Sequence, residues 1–285
     1  MKIINSLNNL NNKYLKWIVT NRCNYNCSYC FEKNFKSIEL SNNNLFLTAN
    51  KINEFMKINN LNSLILLGGE LFLLDTNIIL KLLEILKGKK LYIITNFLQD
   101  NLIYKQIADF AKNNFKTFEY KFSFHDEYIS LKDFFKKIDD FRKICNCNIK
   151  VQFTLDERTE KLLPEFELRC YKSKVIYHVE KAYTIYGKNR ENVKFSNVKS
   201  KTSKTFLIDG KEIKGDILFK NGPLDNYDTN CYQPFFHLES NKLYSHCYGR
   251  TITNDFLNYK TEKIDFNFKC NRHSCLVYKT SIIGE

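Results

Sequence analysis

The chain lacks any apolar run that approaches a membrane span, lacks a secretory start, and has little arginine for its charge; each shortage removes a class of function. A spanning helix takes about 20 consecutive apolar residues, and none are found together. The opening residues, MKIINSLNNLNN, have no basic start, apolar stretch or small-residue cleavage site, so the expected location is the cytoplasm. The formal charge is +13, yet arginine occurs only at Arg22, Arg142, Arg158, Arg169, Arg190, Arg250 and Arg272, scattered along the sequence. Arginine supplies the bidentate contacts to phosphates and bases. The excess is therefore read as a solvated lysine surface, and nucleic acid is not an expected partner.

What the chain does have is cysteine, ten in 285 residues. In a reducing compartment that points to metal or redox chemistry rather than disulfides. Hydrophobic residues make up 44%, enough for a large core. Short apolar segments alternate with segments of helical periodicity, the pattern of a parallel sheet built from strand-helix units. Strands are expected at 14–20, 63–67, 90–95, 119–124, 148–155 and 173–179, and helices at 47–58, 77–88, 101–113 and 131–144, with Gly88 as a helix stop. A fifth helix within 156–172 is weakened by Pro164. The expected fold is α/β, a partial (β/α)6 barrel over residues 1–180. A small cysteine-rich β-hairpin/α domain is expected over 181–285, with turns at Asp209-Gly210 and Ser240-Asn241.

Three cysteines, Cys23, Cys27 and Cys30, follow the first strand of the barrel as C-x3-C-x2-C. Active sites of α/β folds gather at the C-terminal ends of strands. A disulfide fails on compartment, and a thioredoxin-like pair leaves Cys23 unexplained. Zinc needs a fourth ligand that no nearby histidine offers. Three thiolates can instead hold three irons of a 4Fe-4S cluster, leaving the fourth iron open.

With Tyr29 just before the third cysteine, this loop resembles the hallmark of radical S-adenosylmethionine enzymes. Gly68-Gly69-Glu70, after the second strand, is similar to the family's Gly-Gly-Glu element, with Leu71 where proline often follows. Thr95-Asn96-Phe97 resembles its Thr-Asn-Gly, with the glycine replaced, and Ser123-Phe124-His125 ends the fourth strand. The resemblance implies that Cys23, Cys27 and Cys30 ligate the cluster. It implies that Tyr29, Gly68, Gly69, Glu70, Thr95, Asn96 and Ser123 bind the cofactor, that Phe31 lies by the cluster, and that His125 is a candidate catalytic residue. The open iron would chelate S-adenosylmethionine. One electron, from a donor such as flavodoxin or ferredoxin, would then yield a 5'-deoxyadenosyl radical that abstracts hydrogen from a substrate.

Four later cysteines, Cys231, Cys247, Cys270 and Cys275, resemble a shortened form of the family's SPASM or twitch auxiliary domain. The full pattern has more cysteines, and its glycine is replaced by Lys242, next to Asn241, which can adopt a left-handed turn. The resemblance implies a second 4Fe-4S cluster; zinc, with His246 or His273 able to contribute, is the alternative. Cys145, Cys147 and Cys170 are expected to pack in the interior. The implied function is oxidoreductase-type modification of a peptide or protein. RNA or a small metabolite as substrate, or a non-catalytic zinc-stabilised binding protein, are the alternatives.

Overall fold

The computed structural model describes residues 3–6, 13–30, 39–186, 192–195, 205–208, 211–214, 230–232, 235–245, 251–269 and 281–284. Strand β1 (Ile3–Ser6) belongs to a small separate sheet. The central sheet is built on β2 (Tyr14–Ile18), β3 (Ser63–Leu67), β4 (Lys90–Thr95), β5 (Thr117–Phe124), β6 (Asn148–Leu155) and β7 (Ile176–Lys181). These six are parallel and lie side by side in chain order. They are the six strands expected from the sequence, and the α/β partial barrel is the fold observed.

Helices α1 (Asn42–Ile58), α2 (Thr76–Leu86), α3 (Asn101–Asn114), α4 (Leu131–Ile144) and α5 (Leu163–Ser173) follow successive strands. The first four each start at a side-chain cap: Ser41, Asp75, Asp100 and Ser130 accept from amides two or three residues on. Such caps contribute about 1 kcal/mol each. Helix α5 has Pro164 in its first turn, where a missing N–H costs nothing, so the proline starts the helix rather than weakening it. Gly88 has φ of 85°, the left-handed geometry of a helix stop.

One face of the sheet carries the core. Leu15, Trp17, Leu64, Leu66, Leu91, Ile93, Tyr120, Phe122, Val151 and Phe153 are buried there with Ala49, Ile52, Leu82, Tyr104, Ile138 and Phe141 from the helices. The other face alternates with it and is polar over β5, β6 and β7. Lys150 pairs with Glu119 at 3.2 Å, Lys121 Nζ lies 2.8 Å from His178 Nδ1, and Gln152 donates to Glu180 at 2.8 Å.

Beyond β7 every regular element among the described residues is a strand. Strands β8 (Tyr183–Tyr186) and β9 (Asn192–Phe195) pair with each other. Strands β10 (Thr205–Ile208) and β11 (Lys211–Lys214) pair antiparallel, the turn expected at Asp209-Gly210 lying outside the described residues, and β12 (Asn230–Tyr232) lies beside β1. Strands β13 (Phe235–Glu239), β14 (Lys242–Ser245) and β15 (Thr251–Thr253) extend the central sheet, with β13 parallel to β2. The left-handed residue of the β13–β14 turn is Ser240 (φ 52°), not Asn241. Asn241 instead anchors the next segment, accepting the Leu257 amide at 2.8 Å and donating to Asp255 at 2.7 Å. Strand β16 (Asn267–Lys269) pairs with β12, and β17 (Ser281–Gly284) with β7. The central sheet thus runs across the expected division at residue 180.

Candidate active site

The cysteine loop leaves β2 and stays attached to its neighbour. Val19 N–H donates to Leu67 O at 2.9 Å, Gly69 N–H to Thr20 O at 2.8 Å and Glu70 N–H to Arg22 O at 2.7 Å. The ladder therefore continues past Ile18, where regular strand ends, and carries the loop onto the glycines. A Cβ on Gly68 would stand 2.3 Å from Thr20 O, and one on Gly69 2.2 Å from Arg22 O. Both contacts are with backbone, which cannot turn aside. The glycines are required for the close approach of these two segments.

Glu70 caps the short turn Leu71–Leu73, accepting the Phe72 amide at 3.0 Å. It also accepts from the Thr95 hydroxyl at 2.8 Å and the Asn96 amide at 2.7 Å. Burial raises its pKa, and these three donors oppose the rise. It is 1% exposed, so the carboxylate sits behind the site wall and acts by holding Thr95 and Asn96. Asn96 in turn donates to Asn24 Oδ1 at 2.7 Å, tying the end of β4 to the cysteine loop.

The end of β5 grips the other side of the loop. The Tyr29 hydroxyl lies 2.6 Å and the Cys27 sulfur 3.3 Å from His125 Nδ1. Burial lowers the His125 pKa to about 4, so the ring is neutral at physiological pH and Nδ1 can accept from Tyr29. Tyr128 stacks on Tyr25 with centroids 3.8 Å apart and accepts the Asn26 amide at 2.5 Å. Glu127, Tyr128 and Arg158 were not among the residues expected from the sequence. Glu127 and Tyr128 lie two and three residues after His125 in a charged, aromatic stretch just past β5, which is a local signal. Arg158 lies a whole unit later, and only the fold brings it near.

Cys23, Cys27 and Cys30 all line one cleft of about 350 Å³, with Gly68, Gly69 and Ser123. Tyr29, Thr95, Asn96 and His125 line it too, whereas Glu70 does not. Burial raises the Cys27 thiol to about 11 and also raises Cys23; the charges of the loop cysteines act on one another. Among the described residues no three His, Cys, Asp or Glu side chains converge on a single-ion position. Three thiols on the wall of one cleft are the donor set that a 4Fe-4S cluster with one open iron would take. Cys145 and Cys170 are buried in the core, and Cys147 packs against it. Phe31, Cys247, Cys270 and Cys275 lie outside the described residues, and Cys231 is described as backbone only, in β12.

A family model described as a 4Fe-4S single cluster domain matches residues 15–120, the segment from β2 into β5. The solved structure of anSMEcpe with bound AdoMet is similar in fold, with a TM-score of 0.55 at 13% identity over 86% of this chain and 78% of that one. The chain thus shares its fold with anSMEcpe. A second anSMEcpe structure, with AdoMet and the Cp18Cys peptide, gives 0.53 at 13% identity, covering 86% and 77%. Streptococcus suis SuiB bound to its precursor peptide SuiA gives 0.44 at 16% identity, over 57% of this chain but only 38% of SuiB. The chain thus spans about two fifths of the SuiB chain. No curated protein sequence matches. No helix among the described residues is long and apolar enough to cross a membrane.

Proposed function

We propose that the chain is a radical S-adenosylmethionine enzyme acting on a peptide or protein. The observation that carries this reading is the convergence of Cys23, Cys27 and Cys30 with Gly68, Gly69 and Asn96 on one cleft at the C-terminal end of the parallel strands. The three thiolates would hold a 4Fe-4S cluster. Loaded with S-adenosylmethionine and one electron, that cluster supplies a 5'-deoxyadenosyl radical for hydrogen abstraction. The chain's own residues bind and orient. Gly68 and Gly69 let the cysteine loop close onto the cleft wall, Asn96 and Ser123 offer polar groups, and Tyr29 and His125 close the side next to Cys27. His125 has Nδ1 occupied within this wall, which favours a holding role over hydrogen transfer to substrate.

A peptide substrate is supported by the similarity in fold to a structure holding the Cp18Cys peptide. A cytoplasmic setting with a flavodoxin- or ferredoxin-type donor suits a protein that must keep its thiols reduced. We place the core in residues 1–180 and an accessory portion in 181–285, where Cys231, Cys247, Cys270 and Cys275 would hold a second 4Fe-4S cluster, or zinc. In support, β12, which contains Cys231, pairs with β16, which ends one residue before Cys270.

The test is anaerobic reconstitution followed by reduction with S-adenosylmethionine present. A brown protein that releases 5'-deoxyadenosine is expected, and a colourless zinc protein would refute the reading. In a Cys23, Cys27, Cys30 triple alanine variant, cleavage should vanish while about four irons per chain remain if the second cluster exists.

A further inference from the structure

The turn that joins the second and third cysteines is closed by Cys30 N–H donating to Cys27 O at 3.1 Å. Its first inner residue, Ser28, donates twice to a single side chain from a distant part of the sequence. The Ser28 amide reaches Glu127 Oε1 at 3.0 Å, and its hydroxyl reaches the same oxygen at 2.6 Å. Glu127 is itself held, because Arg158 Nη1 lies 2.9 Å from Glu127 Oε1 and 2.9 Å from Asp126 Oδ2. Arg158 is fixed at its base: its amide donates to Asp156 Oδ1 at 3.0 Å, and its Nη2 lies 3.3 Å from Asp156 Oδ2. Its guanidinium also sits 5.5 Å from the centre of the Tyr29 ring.

These contacts link the loops after β5 and β6 to the stretch between two cysteines. We propose that Glu127, oriented by Arg158, is a positioning residue that sets the Cys27–Cys30 turn before any cluster is bound. Arg158 serves this by bridging three carboxylates, which eases their mutual repulsion, and by closing over Tyr29. A loop set in advance loses less conformational entropy when its thiolates are captured, and it releases iron more slowly afterwards. The proposal rests on the reading of this loop as a cluster site, but its first consequence concerns the metal-free protein.

The test takes the full chain and the variants Glu127→Ala, Glu127→Gln, Arg158→Ala and Ser28→Ala. In metal-free protein, hydrogen exchange of the peptide covering 23–30 should quicken by about tenfold in Glu127→Ala, as expected when a pair of hydrogen bonds to one group is lost. Glu127→Gln keeps an acceptor for the Ser28 amide and should fall between wild type and Glu127→Ala. Arg158→Ala should resemble Glu127→Ala, and Ser28→Ala, which keeps the amide bond, should show the smallest change. Exchange in β3 and β4 should stay at the wild-type rate in all four, separating a local effect from misfolding. In reconstituted protein, removal of iron by a chelator should follow the same order. Wild-type exchange in the loop for both Glu127→Ala and Arg158→Ala would overturn the proposal. If wild-type protein takes up no iron, the cluster reading fails instead, and the exchange data still decide the role of Glu127.

Discussion

The rim of the cleft and the aromatic core beneath it meet at a single tripeptide, Thr95-Asn96-Phe97, and they are held by different forces. On the rim side, Thr95 and Asn96 are fixed by hydrogen bonds to Glu70. On the core side, Phe97 is 1% exposed and stacks on Phe122 with ring centroids 3.7 Å apart, with Tyr104 at 5.0 Å and Lys137 Nζ at 4.8 Å. Phe97 also has φ of 59°, the left-handed region that favours glycine. Such a backbone costs a non-glycine residue about 1–2 kcal/mol. Burying a phenylalanine ring stabilises by more than that. The left-handed position of this turn is thus occupied by a core ring.

The largest expected effect breaks the core side of this comparison. Phe97→Ala should destabilise by about 3–5 kcal/mol, read as a lowered denaturant midpoint. Phe97→Gly removes the same ring but relieves the backbone, so it should cost about 1 kcal/mol less than alanine. If glycine is as costly as alanine, the left-handed strain has been misjudged. If glycine matches wild type, the ring contributes nothing and the account of the turn is wrong.

A smaller effect is expected on the rim. Glu70→Ala leaves two buried amides and one hydroxyl without their acceptor, a loss of about 2–4 kcal/mol. Because Glu70 lies behind the wall, its removal should also loosen Asn96 and Asn24 together. Exchange of the 94–98 and 22–26 peptides should rise in parallel. A rise in only one of them would show that the Asn96–Asn24 link does not couple β4 to the cysteine loop.

The same contrast explains what could be read from the sequence. The strands and four of the helices are written in local periodicity and caps, and their observed limits differ from the expected ones by a few residues. The cysteine loop and Gly68-Gly69 are local motifs, and all of them reach one cleft. The purpose of the glycines was less legible: they clear the Thr20 and Arg22 carbonyls, a contact between segments far apart in sequence. Arg158 was missed for the same reason, because a salt link across units leaves no trace in spacing, whereas Glu127 lay within reach of the His125 motif and was overlooked. Pro164 misled because a proline in a first turn and a proline in a helix interior look alike until the start of the helix is known.

The outward face of α4 supplies a site governed by neither rim nor core, and it should give the smallest effect. Asp140 lies 2.6 Å from Lys136 Nζ and 2.7 Å from Lys143 Nζ, one helical turn to either side. Hydrogen bonds from these lysines hold its carboxyl down to about 2, against an ordinary 3.8. A carboxyl whose folded value lies below its unfolded value adds stability above the unfolded value, and that stability is lost as pH falls through the folded one. The difference between wild type and Asp140→Asn should therefore be constant near neutrality and should shrink as pH drops from about 4 toward about 2. Since the group is exposed, the difference should also fade at high salt, whereas the effects at Phe97 and Glu70 should persist. Denaturant midpoints at several pH values and two salt concentrations would measure this. A salt-insensitive loss at Asp140 as large as that at Glu70 would mean that the solvent-facing helix surface, and not only the cleft wall, is held by specific polar contacts.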